Sequence, residues 1–546
     1  MNADVVVIGS GAGGSPVALE LARAGVHVVV LEKGRDIKPE ELAHDEILMQ
    51  RRNFFVPFPR DEPHTLRRTG ADVGVRSAAG WTSNIVGGGT VHYSGFFLRM
   101  KPVDFRLRST LGEVKDANLV DWPLSYEELE PYYARAEKEI GVSGAWKRHP
   151  FEEPRSSDYP FPPLPEHPLA GRIDAVGKKL GFHPFPMPRA ILSRPSGERP
   201  ACVPCLMCGA YGCPVGAKGS MPASILGAAR ATGRCDLVPQ AMVTEITVNA
   251  EGRATGVVYQ DGDGQTQRVD AKCVVVAGSA IESARLLLLS TSSRFPHGLA
   301  NGNGLVGKNI VYSSLAKGLA LFDRRSRPWL AEPVSPFVNR AVQDFYYQKQ
   351  ASGGARKAGT LLFLLGHANP IANVERIAHE RGLVWGTALK DRLRAARDQV
   401  RLEVETFSEF LPSDRTFIDL DPEVKDRFGL PVARMTVDHH PFDLEGLRLL
   451  RDRGMDVLRG LEPDSAQPGE ADGTTLFLQG GTCRFGRDPA TSVLDPDCRA
   501  HEVANLYVTD GSFMPTSGGV PLTLTIVANG FRVGERLARR FKRGEI

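Results

Sequence analysis

The chain has 546 residues, of which 42% are hydrophobic, so it can bury a sizeable core and form about two to four domains. Its 67 basic and 64 acidic residues leave a net charge of +3, which argues against a nucleic-acid-binding surface. No run of about 18 apolar residues occurs, so we expect no integral membrane segment. The first residues lack the basic stretch and cleavage site of a signal peptide, which predicts a cytoplasmic protein unless it is exported together with a partner that has a signal peptide.

The first 34 residues predict a strand, a tight turn, a helix and a second strand. Residues 5–8 are an apolar run suited to a buried parallel strand. Gly9, Gly11 and Gly14 then fit G-x-G-x-x-G, which serves a tight turn, close approach of a pyrophosphate and close helix packing. Glu32 ends the second strand, where it could accept hydrogen bonds from a ribose. The segment predicts a dinucleotide site without choosing between FAD and NAD.

A cysteine cluster stands at residues 202–214, "CVPCLMCGAYGCP". Its spacing is C-x2-C-x2-C-x4-C-P, close to the ferredoxin pattern C-x2-C-x2-C-x3-C-P. Thiolates at such short spacing can wrap around one iron–sulfur core, although four cysteines could also hold zinc, form disulfides or stay free. The leading interpretation is an iron–sulfur cluster on Cys202, Cys205, Cys208 and Cys213. The other cysteines, isolated in sequence, are expected in the core: Cys235, Cys273, Cys483 and Cys498.

Four further segments carry a resemblance. They are "NIVGGGTVHYSG" (84–95), "AKCVVVAGSAIESARLLLLS" (271–290), the block "GGTCRFGRDPATSVLDPDCRAHEVANLYVTDGSFMPTSGG" (480–519) and "VPLTLTIVANGFRVGERLARRF" (520–541). Together they resemble the glucose–methanol–choline (GMC) oxidoreductases, which are FAD enzymes. The resemblance spans nearly the whole chain at family-like spacing.

The resemblance implies a mixed α/β fold, in which a Rossmann-like FAD-binding domain is interleaved with a substrate-binding domain built on an antiparallel sheet with helices. The expected FAD-binding pieces are 1–110, 200–310 and 470–546, and the substrate or cap pieces are 111–199 and 311–469. The family positions expected to contact FAD are Gly87, Gly88, Gly89, Val243, Asp510 and Gly511. His92 matches the position at which some relatives attach FAD covalently.

The cysteine segment resembles the branch that includes catalytic subunits of bacterial FAD-dependent glucose dehydrogenases. That likeness implies a three-iron cluster on three cysteines, and the extra thiol here allows a four-iron cluster. It also implies that electrons pass to an acceptor protein such as a cytochrome, ferredoxin or quinone-linked partner, or that a small accessory subunit is present.

The family's catalytic pair is missing from this sequence. Leu478 stands where typical members carry histidine, and Pro521 stands where they carry His or Asn. The substitutes that the sequence offers are His439, His440 and the neighbouring Gln479.

The expected function is oxidation of a CH–OH group of a small sugar, glycoside, polyol or alcohol by hydride transfer to flavin N5, with electrons leaving through the cluster. One alternative keeps the flavin but oxidises CH–CH bonds or reduces C=C bonds, because no alcohol base is evident. A second alternative is an electron-transfer subunit without turnover.

Overall fold

Two β-sheets organise the computed structural model, which describes residues 1–51, 54–80, 83–205, 207–330, 337–349, 355–366, 369–380, 382, 385–474 and 476–546. The strands, in chain order, are β1 (Asn2–Ile8), β2 (Val28–Leu31), β3 (His64–Arg67), β4 (Val75–Ser77), β5 (Phe185–Pro186), β6 (Cys235–Val238), β7 (Met242–Val248), β8 (Ala254–Gln260), β9 (Thr266–Val276), β10 (Lys308–Ser314), β11 (Lys317–Asp323), β12 (Arg340–Val342), β13 (Tyr347–Lys349), β14 (Ala355–Lys357), β15 (Gly359–Leu365), β16 (Gln399–Ser408), β17 (Phe417–Lys425), β18 (Pro431–Thr436), β19 (Ser465–Pro468), β20 (Leu476–Thr482) and β21 (Leu506–Val508).

The helices lie between these strands and at the carboxyl end of the chain. They are α1 (Gly14–Arg23), α2 (Leu107–Leu111), α3 (Tyr126–Ile140), α4 (Leu169–Leu180), α5 (Ile225–Ala231), α6 (Ala280–Leu289), α7 (Pro370–Glu380), α8 (Thr387–Arg397), α9 (Pro441–Gly460) and α10 (Thr523–Lys542). None of the helices in the described ranges combines the length and apolar character needed to cross a bilayer.

The first sheet has seven strands in the order β6-β2-β1-β9-β8-β7, with β21 also paired to β9. β1 runs parallel to β2 and β9, and β6 and β21 extend this parallel part. Residues 5–8, 28–31 and 273–276 are buried throughout, as expected of parallel strands covered on both faces. α1 packs against α5 and α10, with Val17, Leu19, Leu21 and Ala22 buried as the sequence predicts.

The second sheet has twelve strands, with the path β4-β3-β18-β17-β10-β16-β15-β12-β5 and branches to β11, β19 and β20. Its pairings are antiparallel except for β3 with β18. α9 covers β11, β15 and β16. Two glycines permit this close approach, because a Cβ on Gly318 would lie 2.4 Å from Met455 and one on Gly454 2.8 Å from Val404.

The mixed α/β fold and the antiparallel second sheet are therefore confirmed. First-sheet strands come from residues 2–31, 235–276 and 506–508, within the three ranges expected to bind flavin. β3, β4 and β20 also fall in those ranges but pair into the second sheet. The domain boundaries stay a prediction. All four isolated cysteines are buried: Cys235, Cys273, Cys483 and Cys498.

Candidate active site

A cavity of 640 Å³ opens where the parallel strands of the first sheet end. Because β1, β2, β9 and β21 are parallel, their carboxyl ends meet at one edge. The residues that follow those ends, Gly9, Glu32, Gly278 and Asp510, all line the cavity. Open α/β sheets bind ligands in the crevice at this edge, so the topology alone marks a binding site.

The glycine turn after β1 has the shape that the motif predicts. Gly9 has a φ of +102°, and a Cβ there would lie 2.3 Å from the Ala277 carbonyl oxygen. A Cβ on Gly14 would lie 2.1 Å from the Gly9 carbonyl oxygen, so α1 packs directly on the turn. Gly11 differs, since its missing Cβ points into space with no atom closer than 3.9 Å. The turn therefore leaves room for a phosphate beside the amino end of α1.

A second glycine loop faces this turn. Gly88 and Gly89 line the cavity, and a Cβ on Gly88 would lie 3.5 Å from the Gly11 Cα. Gly87 is not part of the lining; it turns the chain with a φ of +92° against Pro222. Two backbone walls without side chains thus face each other, which fits the passage of a long cofactor.

Glu32 is buried in the lining and tied to both glycine loops through Ser10. Its Oε2 accepts from the Ser10 hydroxyl at 2.6 Å, and its Oε1 accepts from the Gly34 N–H at 2.9 Å. The Ser10 hydroxyl in turn accepts from the Gly87 N–H at 2.8 Å. Burial raises the pKa of Glu32. The sequence reasoning missed Ser10, although its position inside the glycine motif facing Glu32 is a usable signal.

Asp510 joins the end of β21 to the start of α6. Its Oδ2 accepts from the Ser279 N–H at 3.1 Å and from the Ser283 hydroxyl, and its Oδ1 accepts from the Ser512 N–H at 2.8 Å and the Ser512 hydroxyl. Burial raises the pKa of this carboxyl. Asp510 and Gly511 line the cavity, and Asp510 also fixes the turn that shapes it.

His92 and Val243, two further sequence candidates, also line the cavity. The His92 ring stacks on Phe55 with centroids 5.0 Å apart, and its Nε2 lies 2.6 Å from the Ser83 hydroxyl. Burial, together with the charge of Lys218, lowers the pKa of His92 to about 3, so this imidazole is neutral at physiological pH. Covalent attachment of FAD at His92 stays a prediction.

The far end of the cavity has a mostly apolar wall, built partly by the second sheet. Its lining there is Phe96, Leu315, Phe407, Leu476, Phe477, Leu478, Pro521 and Leu522. Gln479 lies in the same wall, as do Lys317 and Glu405, which the sequence reasoning missed. Leu478 has a φ of +52°, unusual for leucine, in a strand whose pairing with β10 is irregular.

The two candidate histidines lie elsewhere. His440 caps α9, where its Nδ1 accepts from the Phe442 N–H at 3.1 Å and its Nε2 lies 2.9 Å from the Lys115 carbonyl oxygen. The ring of His439 packs 5.2 Å from that of Phe410, and burial lowers its pKa. Neither histidine lines the cavity. A base at these positions stays a prediction, but the structure does not bring them together with the other candidates.

The four clustered cysteines surround a small cavity of their own, of 30 Å³. Cys202, Cys205, Cys208 and Cys213 all line it, and none of the eight cysteines forms a disulfide. Burial and the neighbouring thiols raise the pKa of Cys202 to about 12. In the part of the chain that the structure describes, no set of three or more Cys, His, Asp or Glu side chains is arranged to hold a metal ion.

Buried cations flank the thiols. Lys218 is 2% exposed and donates to the carbonyl oxygens of Cys208 and Tyr211, each at 2.7 Å. Burial lowers its pKa to about 8. Arg189 is 5% exposed and donates to the Ser94 carbonyl oxygen. Within the described ranges no carboxylate forms an ion pair with either cation, so their positive charges oppose part of the cost that burial imposes on a cysteine thiolate.

The cysteine loop also forms part of the large cavity. Gly209 and Ala210, which directly follow Cys208, line the large cavity. The Ala210 N–H donates to the His92 carbonyl oxygen at 2.7 Å, which fastens this loop to the second glycine loop. Cys208, which lines the small cavity, is thus followed directly in the chain by two residues that line the large one.

A glycine-walled crevice at a parallel sheet edge, continued under an antiparallel sheet, is the geometry of a dinucleotide-dependent oxidoreductase. Comparison with known proteins narrows this class. Sequence models described as GMC oxidoreductase match residues 168–313 and 412–530, and one described as an FAD-binding domain matches residues 4–38. The chain is 33% identical to a 2-methyl-1,2-propanediol dehydrogenase from Mycolicibacterium austroafricanum, over 98% of this chain and 95% of that one. It therefore belongs to the GMC oxidoreductase family and is an FAD-dependent enzyme.

Two further relatives align along most of their length. Paromamine 6'-oxidase from Streptomyces fradiae is 32% identical over 98% of this chain and 91% of its own. The fructose dehydrogenase large subunit from Gluconobacter japonicus is 29% identical over 100% and 99%. Among solved structures, a formate oxidase variant from Aspergillus oryzae superposes with a TM-score of 0.67 at 15% identity, covering 99% of both chains. That likeness shows the fold.

Proposed function

We propose that the protein is an FAD-dependent dehydrogenase that oxidises a CH–OH group of a small sugar, glycoside, polyol or alcohol to a carbonyl. The observation that carries this proposal is the two-ended cavity, with glycine backbone and Glu32 at one end and an apolar pocket at the other. The names of three relatives support the substrate class, because each is an oxidase or a dehydrogenase of a hydroxyl compound.

Three lining residues support FAD as the cofactor. Gly11 and Gly88 leave the backbone open to a pyrophosphate, and Glu32 is placed to accept from a ribose hydroxyl. When bound, FAD supplies at N5 the acceptor for the hydride that leaves the substrate carbon. The apolar wall around Leu478 and Phe407 excludes water from the reacting carbon, and Gln479 can orient a substrate hydroxyl.

The test is anaerobic addition of 2-methyl-1,2-propanediol, paromamine or D-fructose while the flavin absorbance is followed. We expect at least one of them to bleach the flavin, with dithionite reduction as the control for complete bleaching. Bleaching by cyclohexanone alone would instead indicate CH–CH oxidation. No bleaching by any compound would favour the electron-transfer subunit. Acid precipitation should release FAD, and a pellet that stays yellow would indicate attachment at His92.

We further propose that Cys202, Cys205, Cys208 and Cys213 hold a [4Fe–4S] or [3Fe–4S] cluster through which electrons leave to an acceptor protein. Two observations support it: the four thiols share one cavity, and Lys218 and Arg189 lie buried beside them without a carboxylate partner in the described chain. The cavity that the four thiols share has a volume of 30 Å³, and a bound cluster would occupy the space between the thiols. When bound, the cluster supplies one-electron transfer. A cytoplasmic location, where thiols stay reduced, suits this chemistry.

Iron and acid-labile sulfide in anaerobically purified protein test the cluster. Cys208→Ser should lower iron and block reduction of a one-electron dye, while substrate still bleaches the flavin at the wild-type rate. Cys235→Ser, at a buried core cysteine, is the matched control and should keep its iron. Bound zinc without sulfide would make the loop a structural zinc site, and absence of both would refute the metal proposal.

A further inference from the structure

Oxidation of CH–OH to a carbonyl releases the hydroxyl proton. The apolar side chains of the cavity wall cannot accept this proton. Most acids and bases that line the cavity belong to its dinucleotide end. There Glu32, Glu282, Asp510 and His92 are each within hydrogen-bond distance of a polar group of the surrounding chain. These groups shape the cofactor end and lie in its loops. A proton acceptor for the substrate has to come from the other wall.

The second sheet contributes one acidic and one basic side chain to the lining, Glu405 and Lys317. Lys317 opens β11 and stands directly opposite Glu405 in β16. The Lys317 Nζ lies 2.5 Å from the Glu405 Oε1, which holds the carboxylate in place. The glutamate side chain is 13% exposed and the lysine side chain 52% exposed, so the pair joins the cavity to solvent.

The strand period directs Glu405 into the cavity. Side chains two residues apart in a strand share a face, and Phe407, two residues along β16, lines the apolar wall. Glu403 lies on the same face two residues further out, 3.7 Å from the Lys317 Nζ, but outside the cavity lining. The Arg401 guanidinium pairs with Glu403 at 3.3 Å, and the residue opposite Glu405 in β15 is the apolar Leu362. The only carboxylate that this strand places in the cavity is thus Glu405.

We propose that Glu405 is the base that replaces the missing catalytic pair, and that Lys317 is its positioning residue. In this step the substrate O–H bond breaks and its proton passes to a Glu405 carboxylate oxygen. The C–H electron pair would leave as hydride, for which bound FAD would supply the acceptor, while the O–H electron pair forms the C=O bond. The proton then reaches solvent beside the half-exposed Lys317. This inference rests on the proposed oxidation of a CH–OH group.

The test compares Glu405→Gln with Glu403→Gln, which alters a neighbouring Lys317 contact but no cavity residue. With the alcohol that bleaches the wild type fastest, Glu405→Gln should slow anaerobic flavin reduction by roughly 100-fold to 10,000-fold. Glu403→Gln should stay near the wild-type rate. FAD content and the calorimetric affinity for the carbonyl product should be unchanged in both variants, which separates proton transfer from folding and binding.

Chemical rescue gives a second readout. In Glu405→Ala, added formate should restore part of the flavin reduction rate, because a small carboxylate can occupy the vacated space. Equal rates in Glu405→Gln and wild type would overturn the inference and leave the proposed function standing. Equal losses in Glu405→Gln and Glu403→Gln, without rescue by formate, would also overturn it. If no alcohol bleaches the wild type, the proposed function falls and this inference falls with it.

Discussion

The two ends of the cavity are built in opposite ways. At the dinucleotide end the contacts come from glycine backbone and from buried polar side chains bonded to one another and to the backbone, such as Gly9 with Gly14 and Ser10 with Glu32. At the substrate end the lining comes from side chains on strands far apart in sequence, such as Lys317 and Glu405. A site made of backbone tolerates little change, whereas a site made of side chains can be rebuilt while the fold persists. This contrast accounts for a chain that keeps the family's FAD-binding domain yet carries leucine and proline at the family's catalytic positions.

The largest effect is expected at the backbone end. Gly9→Val should abolish FAD binding, because its Cβ would lie 2.3 Å from the Ala277 carbonyl oxygen at a φ of +102°. The purified variant should be colourless, with FAD below detection by absorbance. Gly171→Ala is the control: that helical glycine has no atom within 4 Å of a Cβ and should keep full FAD content. A yellow Gly9→Val protein would contradict the view that the backbone-built end of the cavity tolerates little change.

An intermediate effect is expected at the substrate end. Adding Leu478→His to Glu405→Gln should raise the rate of flavin reduction by roughly 10-fold to 100-fold. Histidine is a general base and tolerates the left-handed backbone better than leucine. Leu478 has a φ of +52°, a backbone conformation that histidine adopts more readily than leucine. Stopped-flow reduction of the double variant measures the gain. Leu478→Gln in the same background, which adds polarity without a base, should gain nothing; an equal gain would show that polarity alone suffices.

The smallest effect concerns two buried acids, Asp510 in the cavity lining and Asp443 in the first turn of α9, outside the lining. Asp510 accepts four hydrogen bonds, whereas in Asp443 one oxygen accepts from the Leu411 N–H at 3.0 Å and Oδ2 has no partner among the described atoms. Burial raises the pKa of Asp443 well above its ordinary value. Its stabilising contribution is therefore complete below about pH 4 and is lost as pH rises through the raised folded-state pKa.

Asp443→Asn should thus be more stable than wild type at pH 7. The free energy of unfolding of the variant minus that of wild type should be about 1 kcal/mol larger at pH 7 than at pH 4. Urea unfolding at the two pH values measures it. Asp510→Asn should be destabilised, because whichever side its NH2 group takes, it faces the N–H of Ser279 or Ser512. The same response in both variants would contradict the distinction drawn between the two acids.

The FAD-binding domain could be predicted from the sequence because the first glycine motif, its helix and Glu32 are close together in the chain, while the contacts of single residues with FAD stay a prediction. Gly9, Gly11 and Glu32 line the cavity where the strand–turn–helix pattern put them. Gly87 turned out to be a bend against Pro222 outside the lining, because the motif marks where glycine is needed but not which atom faces the ligand.

The substrate end could not be read in the same way. Lys317 and Glu405 meet only through the pairing of β11 with β16, 88 positions apart by their numbers, and no motif marks either residue. The histidines that sequence favoured, His439 and His440, stand at the entrance to α9, where His440 serves as a cap. Helix capping competes with catalysis for polar residues, and sequence alone does not separate the two uses.

The small cavity and the large cavity are lined by residues that are only two positions apart in the chain, Cys208 and Ala210. A chain extends at most about 3.6 Å per residue, so the Cα atoms of Cys208 and Ala210 are no more than about 7 Å apart. The two cavities are therefore neighbours along the chain, and a short length of backbone joins a residue of one lining to a residue of the other. A substitution that shifts the loop at Cys208 is therefore expected to change the shape of both cavities at once.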